Sequence, residues 1–262
     1  MEVHHHSHLA SGETHTPGKT WTHYFWEFLM LFLAVFCGFF AEYQLEHKIE
    51  KNREKQYISS LVTDIRADTA RLNTIIFNRI ERESRLDSLS LLVNSALPQD
   101  HAKDIYFFAV LAPRTNSVRF IPNDGTIQQL KNSGGLRLIR NHKVADSIAK
   151  YDVTVRFLIR QGELEEMLIH GYRESAQDIV DARFFDQMLD SNNNVTRLIA
   201  GNPQLLPFTQ KELKHWNYRV YSMKSLNRAM RRDARIFLQQ AVALLDLLKK
   251  EYHLSEGTLS ED

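Results

Sequence analysis

The sequence predicts an all-α protein: an N-terminal transmembrane helix continuous with an up-down-up bundle of three long helices, with short helical elements at the membrane-distal end. Glycine and proline are scarce, at 10 and 6 in 262 residues, which favours helices over a many-turned β fold. Apolar residues recur at helical spacing along most of the chain. We divide the chain into a disordered His-rich tail (1–20), a transmembrane helix (21–43), a helical bundle domain (44–254) and a disordered tail (255–262).

The transmembrane prediction rests on an apolar stretch near the N-terminus. Residues 28–41 are 14 residues without a charge, and residues 24–41 are 18 with one acid, or roughly 27 Å of helix. A signal peptide would have a basic n-region and a small-residue cleavage site. A helix in a soluble core would have a polar face. The stretch has none of these features, and its ends carry the aromatic residues typical of membrane interfaces, namely Trp21, Tyr24, Trp26 and Tyr43.

One face of this helix carries an acid and three small residues. At about 100° per residue, Glu27, Ala34, Gly38 and Ala41 lie on nearly the same side. Small residues allow a second helix to approach closely, so this is a candidate helix-packing face for a second copy or another membrane protein. The alternative is that Glu27 reaches the lipid headgroups at the membrane edge and the small residues have no such role.

The charges flanking the span predict its orientation. Lys19 is the only basic residue before it that is permanently charged, whereas Lys48, Lys51, Arg53 and Lys55 follow it closely. The positive-inside rule therefore places the bundle in the cytoplasm. The whole chain has 33 basic and 32 acidic residues, so its net charge gives no argument for nucleic acid as a partner.

The first bundle helix has no glycine or proline between residues 44 and 94, and we expect it to end near Pro98. Residues 98–135 are the least regular part of the bundle, and KDIYFFAVL (103–111) predicts a short buried helix or strand. Two further long helices follow, one from Asn141 to about Asp190 and one to about Tyr252, the latter opened by a capping box at Thr209-x-x-Glu212.

A compact corner precedes the second long helix. We expect a short helix with a Thr126-x-x-Gln129 capping box, a stop at Ser133-Gly134-Gly135 and a restart capped by Asn141. The glycines supply the positive φ angles that a tight corner needs. The functional alternative is a recognition tip at the distal end of the bundle, with polar contacts from Asn132, Arg137, Arg140, Asn141 and His142.

Three stretches resemble one group of proteins. They are FLAVFCGFFAE together with Glu27, EKQYISSLVTDIRADTARL (54–72), and TIQQLKNSGGLRLIRNHKVADSIAKYD (126–152); the long C-terminal helix also fits. The chain resembles an uncharacterised family of bacterial single-span membrane proteins, a domain of unknown function, which implies the inner membrane and no established activity. Relatives have a more basic N-terminus, which implies a periplasmic bundle and disagrees with the local charges of this chain.

Few residues in the sequence suggest metal binding or catalysis. His4, His5, His6 and His8 are either a weak metal or pH-sensing site or a polar tail with incidental metal affinity. Glu212-x-x-His215 occurs once, whereas di-iron bundles need two such motifs. The single cysteine, Cys37, excludes a disulfide framework. No phosphate loop or nucleophile elbow is present, so the sequence predicts no enzyme and no cofactor.

Charged residues on the predicted helices have simpler interpretations. We expect the carboxylates of Asp64 and Asp68 to lie on a solvated face rather than to form an acid/base pair. Two basic clusters predict solvent-facing surfaces or inter-helix pairs rather than nucleic-acid sites; their members are Arg79, Arg82, Arg85, Arg228, Arg231 and Arg232.

Two functional hypotheses follow. The first is a membrane-anchored helical scaffold, inserted in the lipid bilayer, that forms a homo-oligomer or binds another membrane protein through its apolar stripes. The second is a sensory module in which a ligand at the distal end or between helices changes their packing.

Overall fold

In the computed structural model, residues 21–201 and 203–254 are described, and they are helical without a named strand. The all-α prediction is confirmed. The long helices are α1 (Trp21–Val93), α4 (His142–Ala176) and α5 (Gln210–Tyr252), and the short ones are α2 (Ala102–Leu111) and α3 (Gly125–Asn132). One-turn 3₁₀ segments cover Pro98–His101, Gly135–Leu138, Ala182–Phe184 and Asp186–Met188. The two predicted disordered tails lie outside the described residues.

The chain divides into two compact units, residues 1–52 and 53–262. In the first, α1 is the one described helix long and apolar enough to cross a membrane, and none of its most apolar 18-residue window is buried. Four phenylalanine rings stack along one side of it, with 6.1–6.4 Å between successive centroids: Phe28, Phe32, Phe36 and Phe40. These exposed rings suit a lipid environment.

In the second unit, buried residues recur along each long helix at intervals of three and four residues. We call the contact formed by these rows the seam. Buried positions on α1 follow this spacing from Ile65 to Val93, and α4 and α5 carry matching buried rows. This is the knobs-into-holes periodicity of packed helices. One apolar cluster joins the start of this stretch of α1, the start of α4 and the end of α5. A second joins the end of α1, α2, the end of α4 and the start of α5.

The three long helices run up, up and down, so the predicted up-down-up order is wrong. Asp68 on α1 accepts a 2.6 Å hydrogen bond from Tyr151 on α4, and Arg79 further along α1 bonds Glu165 further along α4. These two helices are therefore parallel. α5 runs the other way, since it meets Ser90 near its start through Asn217 and Glu54 at its end through Tyr252.

The reason for this order is a non-helical crossing segment, residues 112–124, which has a turn at Thr115–Arg119 and returns along α1. Three contacts trace its path: Arg82 donates to the carbonyl of Ala112 at 3.2 Å, Asn78 to that of Ser117 at 2.8 Å, and Asn123 to Asp68 at 2.8 Å. Extended chain covers about twice the distance per residue that a helix covers. A short segment therefore brings the start of α4 back to the end of the second unit that contains Glu54.

The corner before α4 consequently lies beside Glu54, not at the far end where we expected it. The backbone N–H of Arg140 donates to Glu54 at 3.1 Å, and the Asn141 amide donates to Glu251 at 2.7 Å. The position predicted for the recognition tip is therefore wrong. The opposite end of this unit is formed by α2 and by residues 177–208. The sequence predicted that α4 would continue to about Asp190, but it ends at Ala176.

Three predicted helix caps are confirmed and one is wrong. Asn141 caps α4 by accepting from the N–H of Lys143 at 3.0 Å, the Thr209–Glu212 capping box opens α5, and Gly134 has a φ of 67° that suits glycine. The Thr126 capping box is wrong. α3 begins at Gly125, and the N–H of Thr126 donates to Asp64 of α1 at 3.2 Å.

Candidate functional site

A layer of charged and amide side chains interrupts the apolar seam midway along the second unit. Its members are all buried, with Arg79 and Arg82 at 2%, Glu165 at 4% and Asn227 at 0% exposure. Both terminal nitrogens of Arg79 donate to Glu165 at 3.1 Å, and Arg82 donates to the same carboxylate. Asn227 accepts from Arg79 at 3.0 Å and donates to its backbone carbonyl at 2.8 Å. We call these four residues the polar layer.

The polar layer also holds the crossing segment against the helices. Arg79 donates to the carbonyl of Val118 at 3.0 Å, and Arg82 donates twice to that of Ala112 at 3.2 and 3.1 Å. A non-helical segment without sheet partners must have its buried carbonyls satisfied in this way. The two arginines therefore connect three helices and one loop, which is a structural function for buried charge.

Two guanidinium groups against one carboxylate leave an excess positive charge, and this affects ionisation. Burial lowers the pKa of Arg82, although attraction to Glu165 opposes the shift. Burial by itself raises the pKa of Glu165, but Arg79 and then Arg82 together bring it below its ordinary value. Glu165 is therefore held as a carboxylate, which suits a structural anion and not a proton donor.

A second buried carboxylate corrects a prediction. Asp68 is 0% exposed, so the solvated face expected for it is wrong. Besides Tyr151, it accepts from the backbone and side-chain nitrogens of Asn123, both at 2.8 Å. Burial, followed by this bond to Asp68, raises the pKa of Tyr151. The phenol stays protonated, and the cluster fixes the end of the crossing segment.

The other predicted basic residues lie at the surface or form ion pairs there. Arg85 bonds Glu81 one turn away on its own helix at 3.0 Å. Arg228 and Arg231 on α5 both reach Glu83 on α1, at 2.5 and 2.9 Å. Arg232 pairs with Asp233 on its own helix. Inter-helix pairing, one of the two predicted interpretations, thus applies to Arg228 and Arg231.

A cleft of about 980 Å³ lies beyond the polar layer, at the end remote from Glu54. Apolar side chains from α2, α4 and the loop after α4 form its walls: Ala109, Val110, Tyr172, Ala176, Val180, Phe185, Leu189 and Leu206. Tyr172 is fixed by a 3.0 Å hydrogen bond to the carbonyl of Ala109. The cleft is within the size range of ordinary ligand sites.

Three arginines are among the polar residues that line the cleft. Arg114 donates to the carbonyl of Asn193 at 2.6 Å, and Arg119 pairs with Glu166. Arg173, also in the lining, is exposed. No sequence motif marks this site, because its residues come from three separated segments.

A smaller cavity of about 420 Å³ adjoins the polar layer, between the crossing segment and the three long helices. Its walls are mostly apolar, and Arg79 and Glu165 line one side. Gly162 on α4 faces it with no atom within 4 Å of where a Cβ would lie. This glycine therefore leaves open space that a side chain would fill.

The predicted helix-packing face of the span consists of exposed residues, namely Glu27, Ala34, Gly38 and Ala41. Glu27 lies 3.1 Å from His23, one turn before it. At the corner, Asn132, Arg137, Arg140 and His142 are exposed and Asn141 is half-buried. The four clustered histidines at positions 4, 5, 6 and 8 lie outside the described residues.

Among the described residues, no three His, Cys, Asp or Glu side chains cluster closely enough to hold a metal ion. Glu212 is instead engaged with Thr209 at 2.8 Å in the capping box.

We found no matching family model, no matching curated protein and no matching solved structure for this chain. The candidate site therefore rests on geometry and chemistry alone.

Proposed function

We propose that this protein is a single-pass, membrane-anchored helical scaffold that binds a second copy of itself or another membrane protein and has no catalytic activity. The observation that carries the proposal is the contrast within α1. None of the apolar residues in its most apolar 18-residue window is buried, whereas from Ile58 onward its apolar stripe is buried in a folded unit. A bilayer covers the first kind of surface, and helix packing covers the second.

The proposed architecture is a span that continues as one helix into the folded unit. By the resemblance described above, the membrane is a bacterial inner membrane with the folded unit in the periplasm, whereas the flanking lysines and arginines favour the cytoplasm. Protease treatment of spheroplasts separates these alternatives. A periplasmic unit is degraded in intact spheroplasts, and a cytoplasmic one is degraded only after lysis.

The surface proposed for self-association is the small-residue face of the span. Ala34, Gly38 and Ala41 lie nearly opposite the phenylalanine stack when each residue advances by about 100°. Close approach of two helices along the small residues leaves the large rings facing lipid.

Cysteine crosslinking in native membranes tests this proposal directly. In a Cys37→Ala background, Gly38→Cys should form a disulfide-linked dimer on mild oxidation. Phe36→Cys, two residues earlier and on the opposite face, is the matched control and should stay monomeric. Equal crosslinking at both positions, or none at either together with no crosslinked partner protein, would contradict the scaffold.

A second candidate function is ligand sensing, which the large cleft supports. A ligand bound between α2, α4 and the following loop would contact elements that meet the polar layer through Ala112 and Glu165. Ligand binding to the folded state raises its melting temperature by mass action. A screen of small molecules by thermal unfolding tests this candidate, and the absence of any stabilising compound counts against it.

A further inference from the structure

The smaller cavity, of about 420 Å³, is lined by all three long helices and by the crossing segment. Leu72 on α1, Leu158 on α4 and Met230 on α5 are buried residues of its apolar wall. Val118 and Phe120 of the crossing segment complete that wall. A dry apolar cavity of about 150 Å³ holds benzene, so this cavity has room for a compact ring system of about ten carbons.

Gly162 leaves open space in this cavity without a structural need for glycine. A Cβ at this position would meet no atom within 4 Å, so close packing does not require its absence. Among the described glycines, a positive φ occurs at Gly134 and Gly201 and not at Gly162. Glycine in a helix interior is less stable than alanine. A residue that lowers stability without a packing gain is expected at functional sites, which is an independent argument for a bound molecule.

The charged side chains in the lining are compensated by one another. Both carboxylate oxygens of Glu165 accept from Arg79 at 3.1 Å, and Arg119 pairs with Glu166. The remaining acid of the lining, Glu163, is exposed, so water and salt screen its charge. A charged ligand buried in this cavity would lose its hydration without gaining a free partner of opposite charge. The lining therefore favours an uncharged ligand.

Two exposed apolar side chains lie where the crossing segment and α4 border the cavity. Ile121 is 60% exposed and Ile159 is 39% exposed, and both belong to the lining. Covering apolar surface of this kind is favourable. An apolar molecule that enters between these two residues would therefore gain contacts at the opening as well as inside.

We propose that this cavity binds an uncharged, compact apolar molecule, such as a fused-ring hydrocarbon or an alcohol derived from one. The ligand contacts the three long helices and the crossing segment together, and so stabilises the same packing that the polar layer maintains. The large cleft is a different site, since Arg119 and Glu166 alone belong to both linings. The inference therefore goes beyond both proposed functions.

The test compares three probes that share one ring system: 1-adamantanol, adamantane-1-carboxylate and protonated 1-adamantanamine. Each is titrated calorimetrically into the full chain in lipid nanodiscs, and empty nanodiscs measure partition into lipid. The wild-type protein should bind the alcohol about tenfold more tightly than either ion, because a buried ion loses its hydration. Gly162→Leu fills the cavity with a side chain and should abolish binding of the alcohol.

The matched control is Ala149→Leu, which adds an apolar side chain at an exposed position of the same helix outside the cavity. It should leave the affinity for the alcohol unchanged. Gly162→Ala adds one methyl group to the cavity, so it should raise the melting temperature and still weaken binding of the alcohol. These opposite signs separate loss of the site from loss of the fold.

The inference is overturned if wild type binds none of the probes, or binds an ion as tightly as the alcohol. It is also overturned if Gly162→Leu and Ala149→Leu bind the alcohol alike, a result that would place the ligand outside this cavity. If Gly162→Leu does not fold, unchanged affinity in Gly162→Ala overturns it instead. The crosslinking of Gly38→Cys judges the scaffold separately.

Discussion

Two layers of the same helical seam differ in chemistry. Around Phe237, the contacts are apolar: its ring lies 5.6 Å from that of Phe120 and 5.0 Å from that of Tyr151. Three turns earlier on α5, Asn227 joins the polar layer. The apolar layer holds the helices and Phe120 of the crossing segment by ring contacts, whereas the polar layer binds backbone carbonyls of that segment. Charge is therefore buried where a non-helical loop must be fixed to helices.

The largest expected effect is the loss of Glu165. Glu165→Ala leaves the guanidinium groups of Arg79 and Arg82 buried without an anion, and breaking a buried pair in this way costs about 3–5 kcal/mol. Chemical denaturation of the solubilised chain measures the change. Glu166→Ala is the matched control at the next position, because its exposed pair with Arg119 contributes at most about 1 kcal/mol. Equal losses would show that burial of the polar layer has no special role.

Truncation in the apolar layer should cost about 3 kcal/mol or slightly more. Phe237→Ala removes a fully buried ring and leaves a cavity. It removes a ring contact with Phe120 of the crossing segment, but it leaves intact the polar layer that binds the carbonyls of Val118 and Ala112. Hydrogen exchange at Val118 and Arg119 should therefore increase more in Glu165→Ala than in Phe237→Ala at matched stability. The opposite order would contradict the assignment of the crossing segment to the polar layer.

Acidification should destabilise the fold less than Glu165→Ala does, because protonation leaves the Glu165 side chain in place. Its pKa is lower in the folded chain than its ordinary value, so its contribution is fully present above that ordinary value, about 4.3. The contribution is lost as the pH falls through the folded pKa. Glu165→Gln should weaken the decline of melting temperature below about pH 4.3. If the decline were unchanged in Glu165→Gln, other carboxylates would be its cause.

The polar layer could have been predicted from the sequence with one further step. Asp68, Arg79 and Arg82 occupy positions on α1 where the three-and-four spacing calls for apolar residues, as Glu165 does on α4 and Asn227 on α5. A polar residue at a seam position is a signal of a buried partner. Grouping these arginines by charge misses the register that places their side chains inside the bundle.

The helix order could not be read from these patterns in the same way. Both up-down-up and up-up-down arrangements bury identical stripes, so periodicity does not distinguish them. The deciding element is the crossing segment, whose residues show neither helical nor alternating spacing. Its course depends on contacts between distant residues, such as Asn78 with Ser117 and Asp68 with Asn123. Local caps at Asn141 and Thr209 were predictable because their partners lie within three residues.

The smallest expected effect comes from two glycines on α4, one beside the polar layer and one beyond it. A Cβ at Gly162 would meet no atom within 4 Å, whereas one at Gly171 would lie 3.2 Å from the guanidinium group of Arg219. In a helix interior, alanine is favoured over glycine by roughly 0.5–1 kcal/mol. Gly162→Ala should therefore raise the melting temperature by a few degrees. Gly171→Ala should gain less or lose stability, since Arg219 must move. If both variants gained equally, Arg219 would be free to shift, and its contact would not explain the glycine at 171.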